Sequence, residues 1–279
     1  MLEHFSKYQS LGNDFILFDW FKKPAFLVEQ TLGSPDFSAT VVTLCNRHTG
    51  IGADGVLILK EHRSHGCAQM LIFNADGTEA QLCMNGLRCC AHRLVTMHHF
   101  PENFSIETKA ALVECSATHD QTNREQLVIT TTLPGASLQG NASLVIGGRE
   151  LTGSVVDVGN PHFIIFDQTT PEWLMSNGKL IEQHERFPHK TNVEFVWQDK
   201  SQEKNTYNAL VYERGCGITQ ACSSGAAAIT WTLFEQQCCA IDKHIMLRMP
   251  GGAVTCWVDI SNAVHLQASA YKIFDGILS

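Results

Sequence analysis

Two cysteines stand at the openings of helix-like runs: Cys83 begins "CMNGLRCCAHRLV" and Cys222 begins "CSSGAAAITWTLFEQQ". A helix N-terminus carries backbone N–H groups without intrahelical partners and a partial positive charge. Both favour thiolate over thiol, and both suit a bound carboxylate. Asn85-Gly86 and Ser224-Gly225 add small or polar residues that let a ligand approach the backbone. A carboxylate gripped by two such ends would have one sulfur on each face of the adjacent carbon. One thiolate could then remove the α-proton while the opposite thiol delivers a proton to the other face. That is stereoinversion by two bases, and it needs no cofactor. A free thiol titrates near about 8.5, close enough to neutrality for general acid–base work. The helix amides would stabilise charge developing on the carboxylate.

The elements around these cysteines recur. Alternation and β-branched content predict strands at 14–20, 54–60, 68–74, 103–108 and 111–117, with a helix after Cys83 and another over about 37–48. A Gly- and Ser-rich stretch, "GASLQGNASLVIGG", reads as a linker or a long hairpin. The pattern then begins again: "GNDFILFD" at 12–19 is echoed by "GNPHFIIFD" at 159–167, and "TNVEFVW" and "YNALVYE" read as strands. Cys83 and Cys222 lie 139 residues apart, half the chain length. Internal duplication is the economical explanation. Two related lobes, 1–125 and 126–267, would each set a cysteine at a helix start and face each other across a cleft, where small-molecule sites commonly form.

Composition narrows the classes of function. The 279 residues are 44% hydrophobic and 17% charged, a globular balance. A net charge of −8 without a run of Lys or Arg beyond Lys22-Lys23 argues against a nucleic-acid partner. No stretch approaches the roughly 20 apolar residues of a membrane helix, and the N-terminal residues lack a signal-peptide core. The expectation is a cytoplasmic protein whose eleven cysteines are mostly reduced. Adjacent pairs such as Cys89-Cys90 chelate poorly, and neither C-x-x-C nor a histidine helix pair is present, so no metal is expected. Complete glycine-rich phosphate loops are absent.

Seven ordered blocks make the reading specific: "LGNDFILFD", "NRHTGIGADGVLIL", "FNADGTEAQLCMNGLRC", "VGNPHFIIF", "NVEFV", "VYERGCGITQACSSGAAA" and "MPGGAV". Together they resemble the diaminopimelate epimerases, from Phe5 to about Gly276. The resemblance implies a cofactor-independent enzyme interconverting LL- and meso-diaminopimelate, for lysine and cell-wall precursors. It implies an α/β fold of two pseudo-symmetric lobes, each a mixed or antiparallel β-layer around a central helix, with residues 268–279 returning to the first. Cys83 and Cys222 would be the acid/base pair, and the amides at Met84-Asn85 and Ser223-Ser224 would hold the reacting carboxylate. Asn13, Asn74, Asn160, Asn192 and Arg214 would recognise the non-reacting end, with His162 and Glu213 near the reacting amino group and the thiols. Such a set suits a substrate with two zwitterionic ends, which needs amide oxygens for an ammonium and a guanidinium for a carboxylate. A homodimer is compatible with this reading.

The chain departs from the family at defined places. Met84 and Ser223 replace glycines, Ile218 replaces a glutamate before the second cysteine, and Gln267-Ala268-Ser269-Ala270 replaces a Thr-Gly-Pro-Ala block. These keep open a racemase or isomerase of the same fold acting on another amino acid. A further alternative is a redox-sensing descendant in which the two cysteines form a reversible disulfide. The nine other cysteines read as packing residues or incidental thiols, with Cys216 as a candidate oxidation partner. Asp54 and Asp76 read as hairpin-turn residues, and Glu213 with Arg214 could instead be a surface ion pair.

Overall fold

His4–Ser10 (β1) and Asn13–Asp19 (β2) form a hairpin whose two turn residues, Leu11 and Gly12, both have positive φ. Such turns match the twist of the strands they join. The computed structural model describes residues 4–62, 64, 66–120, 123, 126–198 and 205–278. From β2 the chain passes through α1 (Ala25–Leu32) and α2 (Phe37–Cys45) to β3 (Gly55–Glu61), β4 (Cys67–Asn74), β5 (Glu79–Ala80) and α3 (Met84–His98). Then follow β6 (Asn103–Glu107), β7 (Leu112–His119) and β8 (Leu127–Leu133). Parallel strand pairs need a crossover. The α1–α2 segment supplies it for β2/β3, and α3 supplies it for β4/β6.

The central strands β2 and β3 are apolar and buried on both faces, as a sheet covered on each side requires. Ile16, Phe18, Val56 and Ile58 join the cluster that carries Val28, Phe37, Val41 and Leu44 of α1 and α2. Phe15, Leu17, Leu57 and Leu59 alternate to the other face, toward α3, which packs on β1, β2, β3, β4 and β7. Each fully buried Phe or Leu here contributes roughly 1.5–3 kcal/mol.

The second series begins with β9 (Ser137–Ile146) and β10 (Arg149–Asp157), a hairpin turning at Gly147-Gly148 with positive φ at both. The Gly- and Ser-rich stretch is therefore the first strand of a long hairpin. Then come β11 (Pro161–Ile165), α4 (Pro171–Glu182), β12 (Asn192–Gln198), β13 (Thr206–Glu213), β14 (Gly217–Ile218) and α5 (Ser223–Glu235). The series closes with β15 (Ile245–Met249), β16 (Gly252–Val258), β17 (Val264–Ser269) and β18 (Tyr271–Ile277). The order of the first half is repeated: α4 crosses between parallel β11 and β12, and α5 between parallel β13 and β15. Phe163, Ile165, Val193 and Phe195 pack toward Leu174 and Ile181 of α4. The alternate positions face α5, which packs on β10, β11, β12 and β16.

The chain divides into two compact units, Met1–Thr131 with Ala268–Ser279, and Thr132–Gln267. The discontinuous first unit is completed by β18, which runs antiparallel to β1 with His4 opposite Ile277. Gly276 makes room there for the Phe5 ring, since a Cβ at this position would lie 2.3 Å from Phe5 Cζ and force the ring to shift. Each unit is thus a mixed sheet with one helix buried on its inner face, α3 in the first and α5 in the second. No helix among the described residues is long and apolar enough to cross a membrane.

Candidate active site

Each cysteine is the N-cap of its helix. The Cys83 sulfur accepts from Gly86 N at 3.5 Å, and the Cys222 sulfur accepts from Gly225 N at 3.3 Å. The ordinary caps are Ser, Thr, Asp and Asn, worth about 1 kcal/mol over an uncapped end. At α4 the chain uses one of them, since Thr170 Oγ1 accepts from Trp173 N at 3.2 Å. Thiols at α3 and α5 are therefore not choices made for helix stability.

In the first unit, Asn13 Nδ2 donates to Asp54 Oδ2 at 2.8 Å, while its Oδ1 lies 3.7 Å from Cys83 Sγ and 3.4 Å from Asn85 Nδ2. Asn85 Oδ1 in turn accepts from the fully buried Arg88, whose Nε donates to Ser10 Oγ at 3.0 Å. Asn13, Cys83 and Asn85 are thus brought together, with Met84 buried beside them. Asn74 ends β4, where its Nδ2 donates across the following turn to Thr78 Oγ1 at 3.0 Å. Asp76 caps that same turn through Thr78 N at 2.9 Å.

Asp54 is not a hairpin residue, contrary to the reading of its Asp-Gly pair. It precedes β3, which runs parallel to β2, and it bonds Asn13 and the Asp14 backbone N–H. Arg47 bridges Asp14 and Asp54 at 2.6 and 2.7 Å, and Lys7 reaches Asp14 at 2.6 Å. Burial alone would raise the Asp14 carboxyl, but hydrogen bonds from Arg47 and Lys7 outweigh it and hold the group well below the usual range.

In the second unit the remaining residues converge. His162 Nδ1 lies 2.7 Å from Glu194 Oε1, and its Nε2 lies 3.1 Å from Asn160 Oδ1. Asn192 is tied at both ends of its amide, donating to Pro161 O and accepting from Arg214 N, each at 2.9 Å. It joins the strand bearing His162 to the loop bearing Arg214. Arg214 Nη1 donates to His189 O at 3.1 Å, and Gly215 N donates to Glu182 Oε1 at 3.1 Å, which fixes that loop. Glu213 does not pair with Arg214; it accepts from Thr219 Oγ1 and lies within hydrogen-bonding reach of Cys222. Ser224 Oγ is 3.3 Å from the Cys222 sulfur, and Ser223 is buried in the first turn.

Burial opposes the helix charge at the second cysteine. A helix N-terminus alone favours thiolate, yet burial pushes the Cys222 thiol well up, and the Glu213 and Glu194 carboxylates raise it further. Burial also raises Glu213 itself, against hydrogen bonds from Thr219 and Cys222. Sequence reasoning passed over Glu194 and Asp54 as site residues. Glu194 lies inside a strand, between the apolar Val193 and Phe195. Only setting the two halves side by side, with an acid against Leu57, would have exposed it.

Comparisons with known proteins follow this geometry. A sequence model of the family described as diaminopimelate epimerase matches residues 5–133 and 154–272. A diaminopimelate epimerase of Prochlorococcus marinus (strain MIT 9313) is 35% identical over 99% of this chain and 92% of its own length. One from Bacillus licheniformis is 36% identical over 89% of this chain and 88% of its own. Among solved structures, a hydroxyproline epimerase from Agrobacterium vitis superposes with a TM-score of 0.72 at 13% identity, covering 99% of this chain and 90% of that one. A PhzF-family phenazine biosynthesis protein from Bacillus anthracis gives 0.69 at 12% identity, covering 99% of both. At such identities these structures speak to the fold, which is the mixed α/β architecture expected.

Proposed function

The chain belongs to the diaminopimelate epimerase family, and from that premise we propose that it interconverts LL- and meso-diaminopimelate through the thiols of Cys83 and Cys222. The observation that carries the reading is the pair of cysteine N-caps, each with a glycine N–H on its sulfur. One thiolate takes the α-proton. The electron pair left on carbon is delocalised into the carboxylate, which the first-turn amides at Met84-Asn85 and Ser223-Ser224 stabilise. The other thiol gives its proton to the opposite face, so the cysteines exchange protonation states and the substrate gains or loses none. Burial, with the Glu213 and Glu194 carboxylates, raises the Cys222 thiol, which favours it as the donor in the direction where Cys83 is the base.

Asn13, Asn74, Asn160, Asn192 and Arg214 serve the distal amino-acid end in this reading. Its ammonium and carboxylate must be met by amide oxygens and a guanidinium, and a substrate lacking them leaves those groups unpaired. Glu213 and His162 serve the reacting ammonium. The substrate is a small, water-soluble metabolite, and the reaction belongs in the cytoplasm.

Proton NMR of the reduced protein with LL-diaminopimelate in deuterium oxide tests this directly. Loss of the α-proton signal together with growth of the meso form is expected. Absence of exchange with this substrate would overturn the assignment and direct the search to other amino acids.

A further inference from the structure

Beneath the two helix mouths, equivalent positions carry opposite chemistry. Aligning the halves on Gly12/Gly159 makes Phe15 the counterpart of His162, aligning them on Cys83/Cys222 makes Gly86 the counterpart of Gly225, and the strand pairing makes Leu57 the counterpart of Glu194. The strand registers agree: Phe15 faces Gly55 and Leu17 faces Leu57 across β2/β3, while His162 faces Asn192 and Ile164 faces Glu194 across β11/β12. The packing agrees as well. A Cβ on Gly86 would lie 2.8 Å from Leu57 Cδ2, and a Cβ on Gly225 would lie 2.8 Å from Glu194 Oε1. So the same slot under the first helical turn holds two hydrocarbon side chains in one unit and a fully buried acid and imidazole in the other.

The first unit shows that this architecture closes over Phe and Leu. Nothing in the fold therefore asks for an ionisable pair, and a buried pair is commonly no more stabilising than apolar residues of similar size. Glu194 carries a further cost: its Oε2 is buried without a hydrogen-bond partner among the described residues. What the acid does achieve is local. Glu194 Oε1 lies 2.7 Å from His162 Nδ1, a contact that locks the ring orientation and singles out that nitrogen as the one facing an acid. Nε2 is then presented at Asn160, 3.1 Å away, whose amide can turn to suit either state of that nitrogen. The other titratable groups around the pair are Glu213 from β13 and Cys222 at the mouth of α5.

Resting on the epimerase reading above, we propose that Glu194 is a positioning residue that holds His162 with its proton on Nδ1 and its Nε2 edge presented at Asn160, where the substrate binds. The substitution of Glu194 and His162 for the apolar residues of the first repeat is what makes the two cysteine mouths chemically unequal.

The experiment combines imidazole 15N NMR, with His162 identified by its loss in His162→Gln, with steady-state kinetics and thermal melts. Wild type is expected to show the His162 proton on Nδ1. In Glu194→Gln that signature shifts toward Nε2 protonation, and kcat falls about tenfold or more while KM stays within about threefold. The double variant His162→Phe/Glu194→Leu, which copies the first repeat into the second, should fold with a Tm no lower than wild type and lose epimerisation. An unchanged His162 signature in Glu194→Gln, a wild-type kcat in that variant, or a double variant that melts well below wild type would each overturn the proposal. If the wild type exchanges no α-proton of diaminopimelate, the functional reading falls, while the NMR and melting comparisons still decide what Glu194 does to His162.

Discussion

Asn13 and Asp54 are joined by a 2.8 Å hydrogen bond that commits the Asn13 amide nitrogen and leaves its oxygen facing Cys83 and Asn85. The carboxylate thus determines which end of the amide meets the helix mouth. Asp54 is itself anchored by Arg47, which also grips Asp14. Asp54→Asn can donate as well as accept, so it releases the Asn13 amide to turn over. Its kcat/KM should fall about tenfold, equivalent to ~1.4 kcal/mol, with no change in far-UV circular dichroism. Unchanged kcat/KM would remove Asp54 from the site.

Replacing either thiol should separate chemistry from fold. Cys83→Ala and Cys222→Ala are each expected to lower kcat by about a thousandfold or more, while α3 and α5 lose only a weak cap. Initial rates and thermal melts in parallel check this; near-normal turnover in either variant would sink the two-thiol mechanism.

Glu213 bears on the pH profile. Its charge is among the influences that raise Cys222, after burial. In the direction that uses Cys222 as base, the rate should rise with pH as that thiol ionises. Glu213→Gln removes one repelling charge, so the ascending limb should move to lower pH in that direction. Initial rates measured both ways across pH give the answer, and a limb that stays in place contradicts the assigned coupling.

A Cβ at Gly86 or Gly225 would come within 2.8 Å of the end of the side chain beneath it, so that side chain would have to shift. Gly86→Ala presses on the flexible end of Leu57 and should cost about 1–3 kcal/mol of stability. Gly225→Ala presses instead on the Glu194 carboxylate and should lower kcat as well. Urea titrations with turnover assays distinguish the two; equal effects on activity would argue that the layers are equivalent.

The far end of α3 is held by Asp19, which accepts from Arg93 at 2.7 Å and His98 at 2.8 Å. Burial would raise this carboxyl, but those hydrogen bonds and charges outweigh it and hold it below the ordinary value. A carboxyl depressed on folding stabilises above its unfolded pKa of about 3.9, and that contribution is lost as pH falls through the lower folded value. Asp19→Asn should therefore flatten the acid limb of stability below about pH 4, read from urea midpoints. An acid limb as steep as that of wild type would refute the linkage.

Much of this was legible in the sequence, and the exceptions share a cause. The helices after Cys83 and Cys222 announce themselves through a capping residue followed by small and apolar residues, and Asn13 and Asn160 through their repeated Gly-Asn. Asp54 was misread because Asp-Gly is the usual hairpin signal, whereas here the strand it starts pairs in parallel with β2. Glu194 was passed over because a doubly covered strand has no polar face against which one acid stands out. The upward pull on the Cys222 thiol was not legible, because helix charge can be read from position, while burial depends on what packs around the sulfur. Local signals carried the elements; the exceptions turn on contacts between residues distant in sequence.

The return of β18 to β1 has a consequence for how the polypeptide is made. A ribosome releases His4 long before Ile277, so β1 must wait with one rim of unsatisfied N–H and C=O groups until nearly the whole second unit has emerged. An exposed rim of that kind invites pairing with other nascent chains. The first unit therefore cannot be sealed before the end of the chain is made, although all but its last strand is among the earliest sequence synthesised.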